Sequence, residues 1–124
     1  LAALMATANG SASKLEVKWS DDVALTVVMA ANGYPGTPEK GTEIKGLAAA
    51  ARVDDVEIFH AGTRREGDKI IADGGRVLCI TARGRSVADA QAHAYAAVAK
   101  IDWPGGFFRN DIGWRALARE KTRR

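Results

Sequence analysis

Residues 74–81, with the sequence GGRVLCIT, constrain the fold of this chain more than any other stretch. The apolar run that follows Arg76 is typical of a strand, and Gly74 and Gly75 precede it. Because glycine has no Cβ, a ligand can approach the backbone closely there. The guanidinium of Arg76 is a planar donor that matches phosphate or carboxylate. The stretch therefore predicts a strand that begins at an anion-binding turn, the alternative being an Arg76 salt bridge at a sheet edge.

Other strands are predicted on both sides of this one. The continuous, β-branched apolar run at residues 23–30 predicts a strand buried on both faces. Residues 56–61 predict another strand, and residues 69–72 and 76–81 predict a hairpin because only Asp-Gly-Gly separates them.

One long helix is predicted at residues 86–101. Ser86 is a favoured N-cap residue, and apolar residues then recur at helical spacing: Val87, Ala90, Ala94, Val98 and Ile101. Several strands with a hairpin and one main helix predict an α+β fold, with a small, mainly antiparallel sheet and one main packed helix.

Composition limits the partners of the chain. With 124 residues it is long enough for one domain with its own core, and its net charge of +3 comes from cations scattered among acidic residues. Because no basic face is interleaved with aromatics, we expect no nucleic-acid binding. No apolar run is long enough to span a bilayer, so we expect no membrane association.

The only cysteine, Cys79, lies within the predicted apolar strand, so no intrachain disulfide can form. We expect an inert, buried thiol and a cytoplasmic location. One cysteine and two histidines without ligand spacing predict no metal site, and no Gly-rich nucleotide loop is present.

The chain begins at Leu1, without Met, in a helix-favouring Ala/Leu stretch. We therefore expect a piece of a longer protein. Residues 1–22 are interpreted as the tail of a preceding helix and a polar linker, in which Trp19 can pack back onto the domain. Residues 23–120 form the domain, and residues 121–124 form a basic tail.

Six short motifs follow one another along the chain. They are residues 29–36 (MAANGYPG), 44–47 (IKGL), 59–63 (FHAGT), 74–78 (GGRVL), 90–95 (AQAHAY) and 109–115 (RNDIGWR). In this order and at these spacings, residues 23–120 resemble the C-terminal domain of the phosphoribosylamine–glycine ligase family, also called glycinamide ribonucleotide synthetase. That family belongs to the ATP-grasp ligases.

The resemblance implies a function for a longer parent enzyme. Such a ligase joins glycine to 5-phosphoribosylamine and converts ATP to ADP and phosphate, giving glycinamide ribonucleotide in purine biosynthesis. ATP and its Mg²⁺ or Mn²⁺ ions would bind in the N-terminal ATP-grasp portion, which is the expected partner of this domain. The domain would close one wall of the substrate site and would be inactive alone.

The resemblance also suggests site residues. Gly74, Gly75 and Arg76 would hold the 5′-phosphate of phosphoribosylamine. His60 and Thr63 would either line the substrate site or brace their loop by hydrogen bonding.

Arg109 and Asp111 have the spacing of a side-chain pair, and would either contact substrate or form a structural clasp. Tyr34, in a Pro-Gly turn, would line a cleft or tuck against the body of the enzyme.

Three alternatives remain open. The chain can belong to a different ATP-grasp carboxylase or ligase, or it can be a free-standing module that binds RNA or protein. It can also be a buttress with no role at the substrate site.

Overall fold

The computed structural model describes residues 1–122, which form an α+β fold as predicted. The strands are β1 (Val23–Ala31), β2 (Glu43–Ile44), β3 (Val56–His60), β4 (Thr63–Glu66), β5 (Lys69–Ala72), β6 (Arg76–Gly84) and β7 (Gly106–Phe108). The helices are α1 (Ala2–Ala8), α2 (Leu47–Ala50), α3 (Val87–Val98) and α4 (Trp114–Thr122), with a 3₁₀ turn at Ala12–Lys14.

The strands form two antiparallel sheets within residues 1–122. The larger sheet has the order β3-β6-β1-β7, and the smaller has the order β2-β5-β4. The predicted hairpin of residues 69–72 with 76–81 is wrong, because β5 pairs with β4 and β2 whereas β6 pairs with β1 and β3.

The reason lies in the two connections. The tight turn at Gly67 and Asp68, with Gly67 at a φ of 58°, joins β4 and β5 as the hairpin. The backbone of residues 73–75 is held by hydrogen bonds to other segments. The Asp73 N–H donates to the Gly62 carbonyl at 2.8 Å, and the Ala31 N–H donates to the Gly75 carbonyl at 2.9 Å. The link therefore carries the chain from the smaller sheet to the larger.

Helix α3 forms where it was predicted but ends at Val98 and not at Ile101, and it covers one face of the larger sheet. The Ser86 hydroxyl accepts a hydrogen bond from the Asp89 N–H at 3.1 Å, which caps the helix. Ala90, Ala94 and Ala97 are wholly buried, and their small side chains let the helix lie close to the strands. Beneath it lie Leu78, Ile80, Leu25, Val27 and Met29, which belong to the same buried core.

The opposite side of the larger sheet carries no helix of residues 1–122, and we call it the open face. In the first part of β1, buried residues (Leu25, Val27) alternate with exposed ones (Thr26, Val28), whereas residues 29–31 are all buried. The prediction that this strand is buried on both faces is therefore wrong for residues 23–28, where α3 covers only one side.

A cross-strand row on the open face contains Val28, Cys79 and Phe59, which are register partners on β1, β6 and β3. Cys79 is accordingly half-buried, and the prediction of a buried core thiol is wrong. Phe59 is 53% exposed and Val28 is 37% exposed. This row is thus an apolar strip without a covering element in the part of the chain that the structure describes. The next row on the same face is polar and consists of Thr26, Thr81 and Glu57.

The two ends of the described chain lie at the surface. Helix α1 buries no residue, and Trp19 is 88% exposed, so it does not pack onto the domain. Helix α4 ends at Thr122, two residues into the predicted tail; Arg123 and Arg124 lie outside the described residues. None of the helices in residues 1–122 combines the length and the apolar character that crossing a membrane requires.

Candidate functional site

A cleft of about 520 Å³ lies at the end of the open face where β6 begins. Its volume lies in the range of small-molecule sites. It is lined by Val28, Tyr34, Ala61, Gly62, Asp73, Gly74, Gly75, Arg76 and Cys79. The predicted residues Gly74, Gly75 and Arg76 therefore share one concave surface, which we call the Gly-Arg cleft.

Close backbone packing explains the glycines of this cleft. A Cβ on Gly62 would lie 2.6 Å from the Arg76 carbonyl oxygen and 3.0 Å from the Cα of Gly74. A Cβ on Gly75 would lie 2.6 Å from the Cδ2 atom of Tyr34. Real side chains do not tolerate such distances, so three segments meet here only because side chains are absent.

The polar groups of the turn are available to a ligand. Neither the Gly74 nor the Gly75 N–H donates a hydrogen bond within residues 1–122. Arg76 is exposed and takes part in none of the ion pairs of the described residues. Free N–H groups beside an unpaired guanidinium can bind an anion.

One acidic residue lines the same cleft. Asp73 lies 3.9 Å from the Lys40 ammonium and 3.8 Å from the Arg64 guanidinium. Arg64 also pairs with Glu66, which lies closer to it, so these two cations offset the charge of Asp73 only in part.

His60 and Thr63 border the cleft without lining it. The Nδ1 atom of His60 lies 2.9 Å from the Thr63 hydroxyl, across the turn that contains Ala61 and Gly62. The N–H groups of Ala61 and Gly62 both donate to the Val77 carbonyl, at 3.0 and 3.1 Å. The hydrogen-bonded pair of His60 and Thr63 therefore closes a turn, and the backbone of that turn forms one side of the Gly-Arg cleft.

Arg109 and Asp111 lie elsewhere, in a cleft of about 440 Å³ at the start of α4, which we call the Arg-Trp cleft. The Arg109 Nε and Nη2 atoms donate to the two Asp111 carboxylate oxygens at 2.8 and 2.7 Å. These hydrogen bonds lower the pKa of Asp111 below its ordinary value, against a smaller opposing effect of desolvation. The same hydrogen bonds raise the pKa of Arg109.

The carbonyl of Arg109 is also engaged. It accepts a hydrogen bond from the Tyr95 hydroxyl on α3 at 2.6 Å, and the same hydroxyl oxygen accepts one from the Ile112 N–H at 3.1 Å. Arg109 and Asp111 thus form a pair within a segment that is anchored to α3. The structure does not bring them together with Gly74–Arg76, since the two groups line different clefts.

Three further residues of the Gly-Arg cleft have weak signals in the sequence. Val28 and Cys79 lie in apolar runs that predict the core, and only the β1–β6 register reveals that they face the cleft. The Pro-Gly turn predicts that Tyr34 lines a cleft or tucks against the enzyme, but its contact with Gly75 joins positions 41 residues apart and leaves no local signal. Within residues 1–122, no cluster of three or more His, Cys, Asp or Glu side chains is placed to hold a metal ion.

Comparison with known proteins identifies the family. The family described as phosphoribosylglycinamide synthetase, C domain, matches residues 24–115. The phosphoribosylamine–glycine ligase of Mesorhizobium japonicum is 54% identical over 98% of this chain, and that of Brucella melitensis is 51% identical over 100%. The chloroplastic ligase of Arabidopsis thaliana is 51% identical over 96% of the chain.

These relatives are much longer than this chain, which spans 28%, 29% and 23% of their lengths. A crystal structure of the phosphoribosylamine–glycine ligase from Thermotoga maritima matches with a TM-score of 0.62 and 37% identity. The match covers 72% of this chain and 21% of that one. The chain therefore belongs to the phosphoribosylglycinamide synthetase C-domain family, in agreement with the order of its six motifs.

Proposed function

We propose that this chain is the C-terminal domain, residues 23–120, of a phosphoribosylamine–glycine ligase. The whole enzyme joins glycine to 5-phosphoribosylamine and converts ATP to ADP and phosphate, yielding glycinamide ribonucleotide for purine biosynthesis. The single observation that carries this proposal is the identity of 50–54% between nearly the whole chain and ligases of that name.

In this proposal ATP and its Mg²⁺ or Mn²⁺ ions bind outside this segment. The length of the relatives supports that assignment, since more than two thirds of each lies outside the part that this chain matches. The 124-residue chain by itself is therefore expected to release no ADP.

We assign the 5′-phosphate of phosphoribosylamine to Gly74, Gly75 and Arg76. Gly74, Gly75 and Arg76 all line the Gly-Arg cleft, and the glycine N–H and Arg76 guanidinium donors have no partner among the described residues. Glycine also lets the phosphate approach the backbone. The charged hydrogen bond from Arg76 is worth about 1.5–3 kcal/mol, which corresponds to about a 10- to 150-fold change in affinity.

The other predicted residues receive supporting roles. His60 and Thr63 shape the wall of the substrate site through the turn that they close at 2.9 Å. Arg109 and Asp111 act as a clasp between β7 and α4, because their charges are already paired with each other.

The N-terminal ATP-grasp portion of the same protein packs on the open face. The relatives are more than three times as long as this chain, so the rest of such a protein can supply the surface that covers this face. The row of Val28, Cys79 and Phe59 is apolar, is partly exposed and ends at the Gly-Arg cleft. Packing there would bury the strip and enclose the cleft between the two parts.

The proposed location is the cytoplasm. The one free, half-buried thiol suits a reducing compartment. The Arabidopsis relative carries the word chloroplastic in its name, so the compartment can differ between hosts.

The test is ADP release by the full-length protein with glycine and phosphoribosylamine, each omitted in turn. We expect release only when both substrates and a divalent cation are present, and none from the 124-residue chain alone. Release that continues without phosphoribosylamine, or no release with both substrates, would reject the ligase. Turnover by the isolated chain would reject the assignment of ATP to the rest of the protein.

A further inference from the structure

Tyr34 has a position in the Gly-Arg cleft that the assignment of the phosphate does not use. Its ring lies directly against the backbone of Gly75, since a Cβ built on that glycine would be 2.6 Å from Cδ2 and 3.2 Å from Cε2. Tyr34 is nevertheless 37% exposed and lines the cleft beside Arg76. The residue therefore contacts the turn and also borders the ligand space.

The loop that carries Tyr34 is held by its own backbone. Gly33 has a φ of 86°, and a Cβ there would lie 2.2 Å from the Thr37 carbonyl oxygen, so only glycine fits. The Tyr34 N–H donates to the Ala31 carbonyl at 3.1 Å, and the Ala31 N–H donates to the Gly75 carbonyl at 2.9 Å. The aromatic ring and the phosphate turn are thus joined through a single intervening residue, Ala31.

A phosphosugar makes two different demands on such a cleft. Its phosphate needs charged and backbone donors, which Arg76 and the glycines provide. Its sugar presents C–H groups that pack well on an aromatic surface, and aromatic residues are common in ligand pockets for this reason. The cleft of about 520 Å³ has room for both groups.

We propose that Tyr34 is a specificity-determining residue: its ring packs against the ribose of the phosphosugar whose phosphate is held by Gly74, Gly75 and Arg76. This inference rests on the proposed function and extends it from the phosphate to the sugar. Tyr34 then distinguishes a pentose phosphate from inorganic phosphate, which Arg76 alone does not.

Calorimetric titration of the full-length protein tests this, with ribose 5-phosphate and inorganic phosphate as probes. Tyr34→Leu should weaken the binding of ribose 5-phosphate about 3- to 10-fold and leave inorganic phosphate within about 2-fold. Arg76→Ala should weaken both probes. The matched control Trp114→Leu removes an exposed aromatic ring from the Arg-Trp cleft and should change neither dissociation constant.

Gly75→Ala provides a second variant, which acts on the Tyr34 ring and also on the phosphate turn to which Gly75 belongs. The new methyl group displaces the Tyr34 ring, so ribose 5-phosphate binding should weaken in the wild-type background. In the Tyr34→Leu background, Gly75→Ala should weaken ribose 5-phosphate binding less than it does in the wild-type background, because the clashing ring is already absent. Thermal unfolding and circular dichroism identify any variant that fails to fold, in which case Tyr34→Met replaces Tyr34→Leu.

Two results would overturn the inference: equal weakening of both probes in Tyr34→Leu, or no weakening of either. ADP release measured on the same preparations keeps the two proposals separate. If ligase activity is normal but the dissociation constants of the two probes do not depend on Tyr34 as predicted, only the sugar contact is rejected. If ligase activity is absent, the proposed function is rejected.

Discussion

The two faces of the larger sheet differ although they are made by the same strands. Leu78 and Cys79 are neighbours on β6, yet Leu78 is wholly buried under α3 and Cys79 is half-buried on the open face. The covered face contributes apolar burial to the fold. The open face ends at the Gly-Arg cleft and retains exposed apolar surface. The difference separates residues that stabilise this domain from residues that are available to a ligand or to another part of the protein.

The largest effect on stability is expected from the covered face. Leu78→Ala should lower the free energy of unfolding of the chain by about 2–5 kcal/mol, because it leaves a cavity under α3. The matched variant Cys79→Ala, one residue along the strand on the open face, should cost about 1 kcal/mol or less. Urea titration of both variants measures the contrast, and equal losses would show that the two faces are not distinct.

A smaller effect is expected on the open face, and only in the full-length protein. Phe59→Ser removes apolar surface that we propose packs against the ATP-grasp portion, so it should cost roughly 1 kcal/mol more there than in the 124-residue chain. The control is Trp114→Ser, because both side chains are 53% exposed but Trp114 lies in the Arg-Trp cleft. Thermal unfolding of both variants is measured in the full-length protein and in the 124-residue chain. If Phe59→Ser lowers the stability of both by the same amount, the interface lies elsewhere.

The smallest effect is expected from the clasp. Hydrogen bonds from Arg109 lower the folded-state pKa of Asp111 below the unfolded value of about 3.9. The pair therefore stabilises the fold above that pH and stops doing so as the pH falls through the folded pKa.

Asp111→Asn should thus be slightly less stable than wild type at pH 7. The difference in the free energy of unfolding between the two proteins should become smaller as the pH falls below about 4. The effect should shrink in high salt because the pair is exposed. Urea titrations across this pH range measure it, and a gap that does not change with pH would mean that the pair's charge is irrelevant.

Local sequence signals were sufficient for several elements. Helix α3 follows from Ser86 and the regular alanines, and β6 follows from its apolar run after the glycines. Both need only neighbouring residues, since caps and periodicity act within a few positions. The position of Gly74, Gly75 and Arg76 at the start of β6 is equally local, and all three line one cleft. That they bind a phosphate there stays a prediction.

The features that the sequence did not reveal depend on distant contacts. The hairpin was misplaced because Asp73–Gly75 is pinned by Gly62 and Ala31, which are remote in the chain. The exposure of Val28 and Cys79 depends on which face of the sheet α3 covers, and a continuous apolar run does not indicate which face that is. The contact of Tyr34 with Gly75 likewise exists only once the loop after β1 has reached the start of β6.

The central claim is that the Gly-Arg cleft, at the end of the open face, binds the phosphate of the substrate. The most direct test is the KM for phosphoribosylamine in the full-length ligase with Arg76→Ala, beside Arg115→Ala in the Arg-Trp cleft. We predict about a 10- to 150-fold rise for Arg76→Ala, with the KM for ATP nearly unchanged and Arg115→Ala close to wild type. An unchanged phosphoribosylamine KM in Arg76→Ala would contradict the claim and leave this domain as a buttress.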